Sequence, residues 1–289
     1  MTNAQFERMV RRDKFVRTAN MVLVYVFLTL AALLVLYPVI YLISAAFTPG
    51  SSISNLSTVP FGNGFTFEHF AKLFRKSNYL LWFKNTLMIA VGVSLATVFV
   101  CTIAAYVFSR FRFPFKKSLM LSFLILQIFP SFLGMVAIYV ILLRLDGLDT
   151  LWGMVLIYTA GNVPYNTWLV KSYVDSIPRT LDEAAKIDGA SNARTFFQIV
   201  LPLTKPIITF LAISSFTGPW MEYIFAKLVL RSNAKQTLAI GLLTFVTDRK
   251  NEFTVFCAGA LLIAIPFVIS FVVTQNILVT SLSSGALKE

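Results

Sequence analysis

Long runs of apolar residues, separated by short polar segments, are the main pattern along this chain. A helix needs about 20 apolar residues to cross a hydrocarbon core of roughly 30 Å. Six runs reach that length, and Glu222 and several other polar residues interrupt the last two. The predicted spans are residues 20–47, 85–109, 118–143, 151–170, 206–228 and 254–280. The pattern therefore predicts an all-α, polytopic membrane protein with six transmembrane helices.

Proline and glycine interrupt four of the predicted spans. The residues are Pro130 and Gly134, Gly161 and Pro164, Gly218 and Pro219, and Pro266. Proline frees backbone carbonyl groups, which a membrane tolerates only where neighbouring helices or water satisfy them. Four broken helices favour a bundle around a cavity, as in a transporter. Kinks that serve packing alone are the alternative interpretation.

The composition supports a membrane protein and argues against a metal site. Of the 289 residues, 57% are hydrophobic and only 13% are charged, whereas a soluble domain carries about 25% charged residues. Cys101 and Cys257 fall inside predicted spans, where they are expected to be small core residues rather than a disulfide or a metal pair. The single histidine, His69, lies in an external loop, so no histidine–cysteine metal cluster is predicted.

The basic residues indicate the orientation of the chain in the membrane. The formal net charge is +12. One group of basic residues precedes the first span, and another lies in the loop between spans two and three, which contains no acidic residue. The groups are Arg8, Arg11, Arg12, Lys14 and Arg17, and Arg110, Arg112, Lys116 and Lys117. Basic segments beside spans stay in the cytoplasm, so we predict cytoplasmic N- and C-termini. This placement favours the membrane, rather than nucleic acid, as the partner of the charge.

One transmembrane domain is predicted, over residues 20–282, between a cytoplasmic N-terminal segment, 1–19, and a cytoplasmic tail, 283–289. The first apolar run is too long for a signal peptide and is expected to remain as an anchor. The external loop 48–84 begins with turn residues and ends with an amphipathic pattern, Phe67, Phe70, Leu73 and Phe74. This pattern predicts a short helix near the membrane surface.

The cytoplasmic segment 171–205 has a clear helical pattern. Thr180 is predicted to cap a helix whose capping-box acid is Glu183, and Gly189 is predicted to end it before a second helix begins. The alternative is an amphipathic helix that lies on lipid. Such a helix has a basic polar face and bulky apolar residues, whereas the first half of this segment carries acids and alanines that suit packing against another protein.

The spacing in this segment resembles the coupling motif of ATP-binding-cassette (ABC) importer permeases. It reads Glu183-Ala184-Ala185, three residues, Gly189, nine residues, then Ile199-Val200-Leu201-Pro202. Other stretches resemble the maltose/maltodextrin branch of carbohydrate importers: Phe111 to Pro114, Gln127 to Pro130, Asn162 to Trp168, Phe216 to Trp220, and Ser283 to Lys288. The resemblance covers the chain from about residue 20 onward and is weakest in the loop 48–84. It implies a type I ABC importer transmembrane domain, in the shorter, six-span subunit of a permease pair.

The resemblance also implies which residues meet the ATPase. The coupling set is Glu183, Ala184, Ala185, Asp188, Gly189, Ile199, Leu201 and Pro202. The tail set is Ser284, Gly285 and Lys288. In the family, the glutamate approaches a basic residue of the ATPase, and the alanines and glycine allow close packing in its cleft. This chain ends in Lys288-Glu289 where relatives often end in Lys-Gly, so it departs from the family pattern at the tail.

The same resemblance implies partners rather than a bound cofactor. The chain has no G-x-x-x-x-G-K-[ST] loop, so it is expected to be non-catalytic and to bind no cofactor itself. ATP and Mg would bind to two partner ATPase subunits, a second permease would complete a hetero-dimer, and an extracellular solute-binding protein would deliver the sugar. No nucleic-acid partner is expected. The expected location is the bacterial cytoplasmic membrane, with maltose or maltodextrin as the first candidate sugar and another oligosaccharide as the main competitor.

Seven polar or aromatic residues inside the spans are candidates for the translocation pathway. They are Gln127, Asn162, Tyr165, Asn166, Trp168, Trp220 and Glu222. Aromatic faces and amide groups together suit sugar rings and hydroxyl groups, and an ionisable residue inside a span is a functional candidate. Hydrogen-bonded packing is the alternative for Glu222, and anchoring at the membrane interface is the alternative for the aromatic residues.

Two other function classes stay open beside the importer permease. An ion-coupled secondary transporter is expected to show inverted repeats and several intramembrane acids, whereas this chain has one such acid and no convincing repeat. A non-transporting membrane scaffold would recruit a partner through the same cytoplasmic segment, but it would leave the four broken spans unexplained. A membrane enzyme would need paired acids, a serine–histidine set or metal ligands close together, and the sequence suggests none.

Overall fold

The computed structural model describes the backbone of residues 3–128, 130–247 and 251–286, and the side chains of 16–54, 56–128, 130, 132–247 and 251–275. In this part of the chain every regular element is a helix, which confirms the predicted all-α fold. The α-helices are α1 Asn3–Phe47, α2 Glu68–Lys76, α3 Tyr79–Arg110, α4 Lys116–Ile128, α5 Met135–Arg144, α6 Leu151–Ser176, α7 Thr180–Ile187, α8 Asn192–Thr195, α9 Leu201–Leu203, α10 Lys205–Met221, α11 Ile224–Val229, α12 Leu238–Thr247 and α13 Phe253–Ala286. Several predicted residues lie outside this description. Only the backbone is described for Arg8, Arg11, Arg12, Lys14, Ser284 and Gly285, and nothing is described for Lys288.

Three helical segments are long and apolar enough to cross a membrane as single helices. They are Val16–Phe47, Tyr79–Arg110 and Phe253–Gln275. Two bent helix pairs meet the same test only when each pair is counted as one span: Lys116–Ile128 with Phe132–Arg144 at 93°, and Asn192–Leu203 with Lys205–Met221 at 77°. Length and composition alone therefore account for three to five crossings among the described residues.

The fourth predicted span forms α6, which has 26 residues but is too polar to count as a span by composition. At 1.5 Å per residue α6 is about 39 Å long, which exceeds the roughly 30 Å core of a bilayer. It packs along α3, and its side chains Thr159, Asn166 and Thr167 are buried. Because other helices surround these polar groups, α6 occupies an inner position in the bundle, at the place in the chain where the fourth span is predicted.

Several predicted boundaries differ from the structure. The second span begins at Tyr79 rather than at 85, since Tyr79 and Trp82 are buried in the core. The third span is broken where α4 ends at Ile128, next to the proline that the sequence places there. The predicted fifth span, 206–228, is not one helix, because α10 ends at Met221 and α11 begins at Ile224.

The helix α12 lies between the fifth and sixth predicted spans; it is apolar, but with ten residues it is too short to be predicted as a span. Polar groups on α3 hold its start: the Asn85 amide donates to two backbone carbonyls at 2.9 and 3.0 Å, and Thr86 Oγ1 accepts from the first amide of α12 at 2.8 Å. Gly241 then lies against the Trp82 ring, where an added Cβ would be 2.1 Å from a ring carbon. The segment therefore folds back onto α3 as part of the core.

The amphipathic helix predicted in the first loop corresponds to α2, which packs against α13. His69 is buried and joins three parts of the chain, with Nε2 2.7 Å from the Thr48 carbonyl and Nδ1 3.2 Å from Thr254 Oγ1. Lys72 forms an ion pair with Glu252 at 2.9 Å. These contacts hold α2 against the end of α1 and the start of α13. His69 therefore has a structural partner on each ring nitrogen.

Candidate functional site

The cytoplasmic segment after α6 folds as two short helices, α7 and α8, joined by a tight turn. The first helix begins at Thr180, so the predicted capping box is wrong: Thr180 is already helical, and the N-cap residue Arg179 makes no side-chain cap. The amide of Glu183 instead donates to the Arg179 carbonyl at 3.0 Å. Asp182 and Glu183 lie in the first turn, where the helix dipole favours negative charge.

Gly189 ends α7 in a Schellman turn. Its φ is +78°, a left-handed conformation that glycine adopts without a Cβ penalty. The Gly189 amide donates to Lys186 at 3.0 Å, and the Ala190 amide donates to Ala185 at 2.8 Å, which are the two hydrogen bonds of that motif. No atom lies within 4 Å of the position that a Cβ would occupy, so the backbone conformation alone favours glycine here.

A buried ion pair fastens α7 to the end of α3. Arg110 Nε lies 3.0 Å from Asp182 Oδ2, and both side chains are largely buried. Neither carboxylate oxygen of Asp182 accepts an aligned hydrogen bond from a described residue, so charge attraction holds the contact. The Arg110 guanidinium also donates to the Ile177 carbonyl at 3.0 Å. Arg110 is one of the basic residues that predict the orientation of the chain, and its pairing with Asp182 is not predicted from the sequence.

Two further contacts join the ends of α3 and α6. Arg179 donates to the Ser109 carbonyl at 2.8 Å, and Ser109 Oγ donates to Asp175 Oδ1 at 2.6 Å. Burial raises the pKa of Asp175, but the hydrogen bonds from Lys171 and Ser109 and the Lys171 charge outweigh burial and hold this pKa below its usual value. The carboxylate therefore stays charged and links the end of α6 to the end of α3, at the base of the α7–α8 element.

The second helix, α8, is anchored by an aromatic contact with α3. Ser191 caps it by accepting from the Arg194 amide at 3.3 Å. The Tyr106 hydroxyl donates to the Asn192 carbonyl at 3.2 Å, and the Tyr106 and Phe196 rings are 4.9 Å apart. A π-helical turn, Phe196–Val200, continues the helix toward the membrane. Phe196 and Val200 are buried against α3 and α6, so the whole element rests on the bundle.

The end of the α7–α8 element that faces away from the bundle, its tip, is exposed and partly apolar. Among the predicted coupling residues, Glu183, Ala184, Asp188, Gly189 and Pro202 are exposed, Ala185 is buried, and Ile199 and Leu201 are half-buried. The surface beside them includes large apolar side chains outside the predicted coupling set: Leu181, Ile187 and Phe197, of which Ile187 is 86% exposed. An exposed apolar patch beside acidic groups is typical of a protein–protein contact.

A second feature is a cavity of about 670 Å³ within the helix bundle. Its wall is mostly apolar, formed by residues from α5, α6, α10 and α11, with Tyr158, Asn162 and Glu222 as its hydrogen-bonding or charged side chains. Gly161 and Pro219 also line it, at two of the interruptions that the sequence places in the spans. The prediction of four broken spans is wrong at two of them, since Pro164 lies inside the continuous helix α6 and Pro266 inside α13.

Glu222 lies at the break between α10 and α11 rather than inside a continuous helix. Its backbone is extended, with φ −80° and ψ 120°. Its carboxylate accepts from the Phe225 amide at 2.7 Å and the Ala226 amide at 2.9 Å, so it caps α11. The Tyr158 hydroxyl donates to the same carboxylate. This acid is therefore fixed at the wall of the cavity by three hydrogen bonds.

The structure separates the other pathway candidates from this cavity. Asn166 is buried and donates to the Asn162 carbonyl at 2.8 Å, and Trp168 donates to the Met120 carbonyl at 2.8 Å. Trp220 is buried among the rings of Phe83, Phe216 and Phe267. Gln127 and Tyr165 are exposed on the outside of the described bundle and do not line the cavity. Of the seven candidates, Asn162 and Glu222 are thus the two that the cavity brings together.

Comparison with known proteins identifies the family. A family model described as "Binding-protein-dependent transport system inner membrane component" matches residues 97–284. The chain is 38% identical over 273 residues to the maltodextrin transport system permease protein MdxG of Bacillus subtilis (strain 168), covering 94% of this chain and 98% of that protein. It is 38% identical over 268 residues to the galactooligosaccharides transport system permease protein GanQ of the same strain, covering 91% and 94%. To the maltose/maltodextrin permease protein MalG of Escherichia coli (strain K12) it is 35% identical over 215 residues, 72% of each chain.

The fold is also similar to that of solved transporters. A crystal structure of a bacterial ABC transporter involved in the import of the acidic polysaccharide alginate matches with a TM-score of 0.75 and 23% identity, covering 92% of this chain and 97% of that chain. A complex of the alginate transporter with a pentasaccharide-bound periplasmic protein matches with a TM-score of 0.64 and 17% identity, with the same coverage. The protruding α7–α8 element, the cavity and these likenesses agree, and the chain belongs to the family of binding-protein-dependent transport system inner membrane components, with the type I ABC importer permease fold.

Proposed function

We propose that this chain is the permease subunit of an ATP-driven sugar importer and that it couples to a separate ATPase through α7 and α8. The observation that carries the proposal is the exposed coupling tip, with Glu183, Ala184 and Gly189 at the surface. This tip stands on a base that is fixed to α3 by the Arg110–Asp182 ion pair. A surface that is free at its tip and rigid at its base is suited to pass a partner's movement into the bundle.

Coupling in this proposal is mechanical. ATP and Mg bind to two partner ATPase subunits, and closure of those subunits displaces the α7–α8 element as a rigid body. The ion pair and the contact between the Tyr106 and Phe196 rings pass the displacement to α3. Since α3 packs along α6 and α10, the walls of the cavity shift with it. The bundle then alternates between outward- and inward-facing states.

The remaining partners follow from the family. The complex also contains a second permease, which makes a hetero-dimer, and an external solute-binding protein. The N- and C-termini face the cytoplasm of a bacterial cell, and the tail residues Ser284, Gly285 and Lys288 contact the ATPase pair. The relatives MdxG and GanQ are permease proteins of transport systems, which supports this arrangement.

The proposed solute is an oligosaccharide that passes beside Asn162 and Glu222. Maltodextrin is the first candidate, because relatives from Bacillus subtilis and Streptococcus pneumoniae at 38% and 37% identity are maltodextrin permease proteins. A galactooligosaccharide permease protein at 38% identity makes another oligosaccharide the second candidate. Glu222 already has three hydrogen bonds, so its role is to shape the cavity wall, and Asn162 is the freer polar group for sugar hydroxyls.

The proposal is tested by sugar-stimulated ATP hydrolysis in proteoliposomes that contain the co-purified complex and its binding protein. Glu183→Ala removes one charged contact with the ATPase. Such a contact contributes about 1.5–3 kcal/mol, so stimulated hydrolysis and uptake are expected to fall about tenfold or more. A double variant with Gly189→Asp is expected to abolish both.

The matched control is Glu68→Ala, which removes an exposed acid from the first turn of α2. It is expected to leave stimulated hydrolysis within about twofold of the wild type, because surface substitutions rarely change the free energy of unfolding by more than about 0.5 kcal/mol. Wild-type uptake that proceeds without the ATPase would contradict the proposal and make an ion-coupled transporter the leading alternative. The sugar that stimulates hydrolysis identifies the substrate.

A further inference from the structure

The turn between α3 and α4 forms a basic cavity away from the coupling tip. This cavity, about 400 Å³ in volume, is lined by Arg112, Lys116 and Lys117 together with Phe113, Phe115 and Ser118. Its lining contains three cations and no acid. Arg112 and Lys117 are exposed, and neither forms an ion pair with a residue that the structure describes. The cavity therefore has unbalanced positive charge directed at an open space.

More positive charge surrounds the same cavity. Lys116 donates to the Phe111 carbonyl at 3.0 Å, which keeps its ammonium group beside the turn. Burial and the nearby charge of Lys171 lower the pKa of Lys116, with smaller contributions from Arg179 and Arg112 in the same direction and an opposing one from Asp175. Cations that repel one another in this way are stabilised when an anion binds among them.

The position of the cavity identifies the anion's source. Directly after Lys116 and Lys117, α4 becomes an exposed apolar helix, with Leu119, Leu121 and Ile125 on its surface. The cations therefore lie where the chain passes from water into the hydrocarbon core, at the depth of lipid headgroups. Basic pockets beside membrane helices on the cytoplasmic side are typical sites for anionic headgroups.

Phe115 adds an apolar contact at the same place. Its side chain is 77% exposed, and its φ is +65°, a conformation that residues with a Cβ rarely adopt. The strained backbone holds a bare aromatic ring beside three cations. An exposed apolar ring at this depth is stabilised when it leaves water and contacts acyl chains.

We propose that the 111–118 cavity binds the phosphate headgroup of an anionic phospholipid, with Arg112 and Lys117 on the phosphate and the Phe115 ring against its acyl chains. Inorganic phosphate shares the anion chemistry but lacks the acyl chains, so the lipid satisfies both the cationic and the aromatic parts of the site. The site is separate from the coupling tip and does not depend on which sugar is carried.

The test is equilibrium binding of fluorescent phosphatidylglycerol and fluorescent phosphatidylcholine to the purified full-length chain in neutral detergent. Each basic residue near a headgroup is worth about fivefold in binding. We expect the wild type to prefer phosphatidylglycerol, and we expect Arg112→Gln with Lys117→Gln to reduce that preference at least about fivefold. The charge-conserving pair Arg112→Lys with Lys117→Arg is expected to keep it.

The matched control removes two other exposed cytoplasmic cations, Lys186→Gln with Arg194→Gln, which lie on α7 and α8. It is expected to change the preference by less than about twofold. Three results would each overturn the proposal: no preference in the wild type at low salt, an equal loss in the control pair, or displacement of the lipid by inorganic phosphate at constant ionic strength. The wild-type measurement decides even where a variant fails to fold.

Discussion

Two side chains at the end of α3 hold the α7–α8 element in place. Arg110 pairs with Asp182 on α7 and donates to the carbonyl of Ile177 before it. Ser109, the preceding residue, bonds to Asp175 on α6 and accepts from Arg179. Two neighbouring residues of one helix therefore contact both elements that bracket the start of the coupling segment. A displacement of α7 cannot leave α3 unmoved unless these bonds break.

Asp182→Asn is expected to destabilise the chain because it leaves the buried Arg110 guanidinium without a counter-charge. Breaking a buried ion pair by removing one member costs about 3 kcal/mol. The measurement is the free energy of unfolding of the purified chain in detergent.

Lys171→Ala is the control for this prediction, since Lys171 pairs with Asp175, whose side chain is 41% exposed. Exposed pairs of this kind are worth less than about 1 kcal/mol. An equal effect of the two substitutions would mean that the Arg110–Asp182 pair has no special role in holding α7.

Residue-scale details were only partly predictable from the sequence. The Glu-Ala-Ala and glycine spacing predicted the position of the turn after α7. Gly189 ends α7 as expected, because glycine lacks a Cβ and adopts the left-handed φ that the turn requires. The pairing of Arg110 with Asp182 joins residues 72 positions apart on different helices, and no local pattern encodes such a contact. The capping box failed for a similar reason: Thr180 and Glu183 have the right spacing, but the helix begins one residue too early for Thr180 to cap it.

Among the helices, α12 shows how an apolar segment too short to cross a membrane becomes part of the core. Its start is held by Asn85 and Thr86, two buried polar residues of α3. Its middle passes so close to α3 that Gly241 touches the Trp82 ring. The ten residues are too few for a membrane span, so the search for long apolar runs could not find this helix.

Gly241→Ala is expected to be strongly destabilising, because the added methyl group would lie 2.1 Å from the Trp82 ring and 2.2 to 2.5 Å from two other ring atoms. Overpacking a rigid core costs about 3 kcal/mol when the neighbour cannot move away. The free energy of unfolding measures this cost.

Gly161→Ala is the matched control, because Gly161 is also helical and nothing lies within 4 Å of its added Cβ. Alanine exceeds glycine by up to about 1 kcal/mol in helix propensity, so this substitution is expected to be neutral or stabilising. If both substitutions had the same effect, the close approach of α12 to α3 would be wrong.

At the scale of the whole molecule, hydrophobic runs predicted the class of the protein better than its internal shape. The all-α membrane fold and the family follow from residues that any reader of the sequence can find. The bends between α4 and α5 and between α9 and α10, and the break at Glu222, were suggested only by proline, glycine and one acid. How those breaks combine into a cavity depends on packing between distant helices, which is why Asn162 and Glu222 line it while Trp168 and Trp220 do not.

A crosslink between the exposed tip of α7 and a separate ATPase subunit would detect the proposed docking contact. The two native cysteines, Cys101 and Cys257, are buried, so a single new cysteine at the exposed Ala184 would be the reactive thiol among the described residues. With a short bifunctional reagent, Ala184→Cys is predicted to crosslink to the co-purified ATPase subunit, whereas Glu68→Cys on α2 is predicted not to. A tip cysteine that labels freely but never crosslinks to the ATPase, or one that does so no better than Glu68→Cys, would contradict the account.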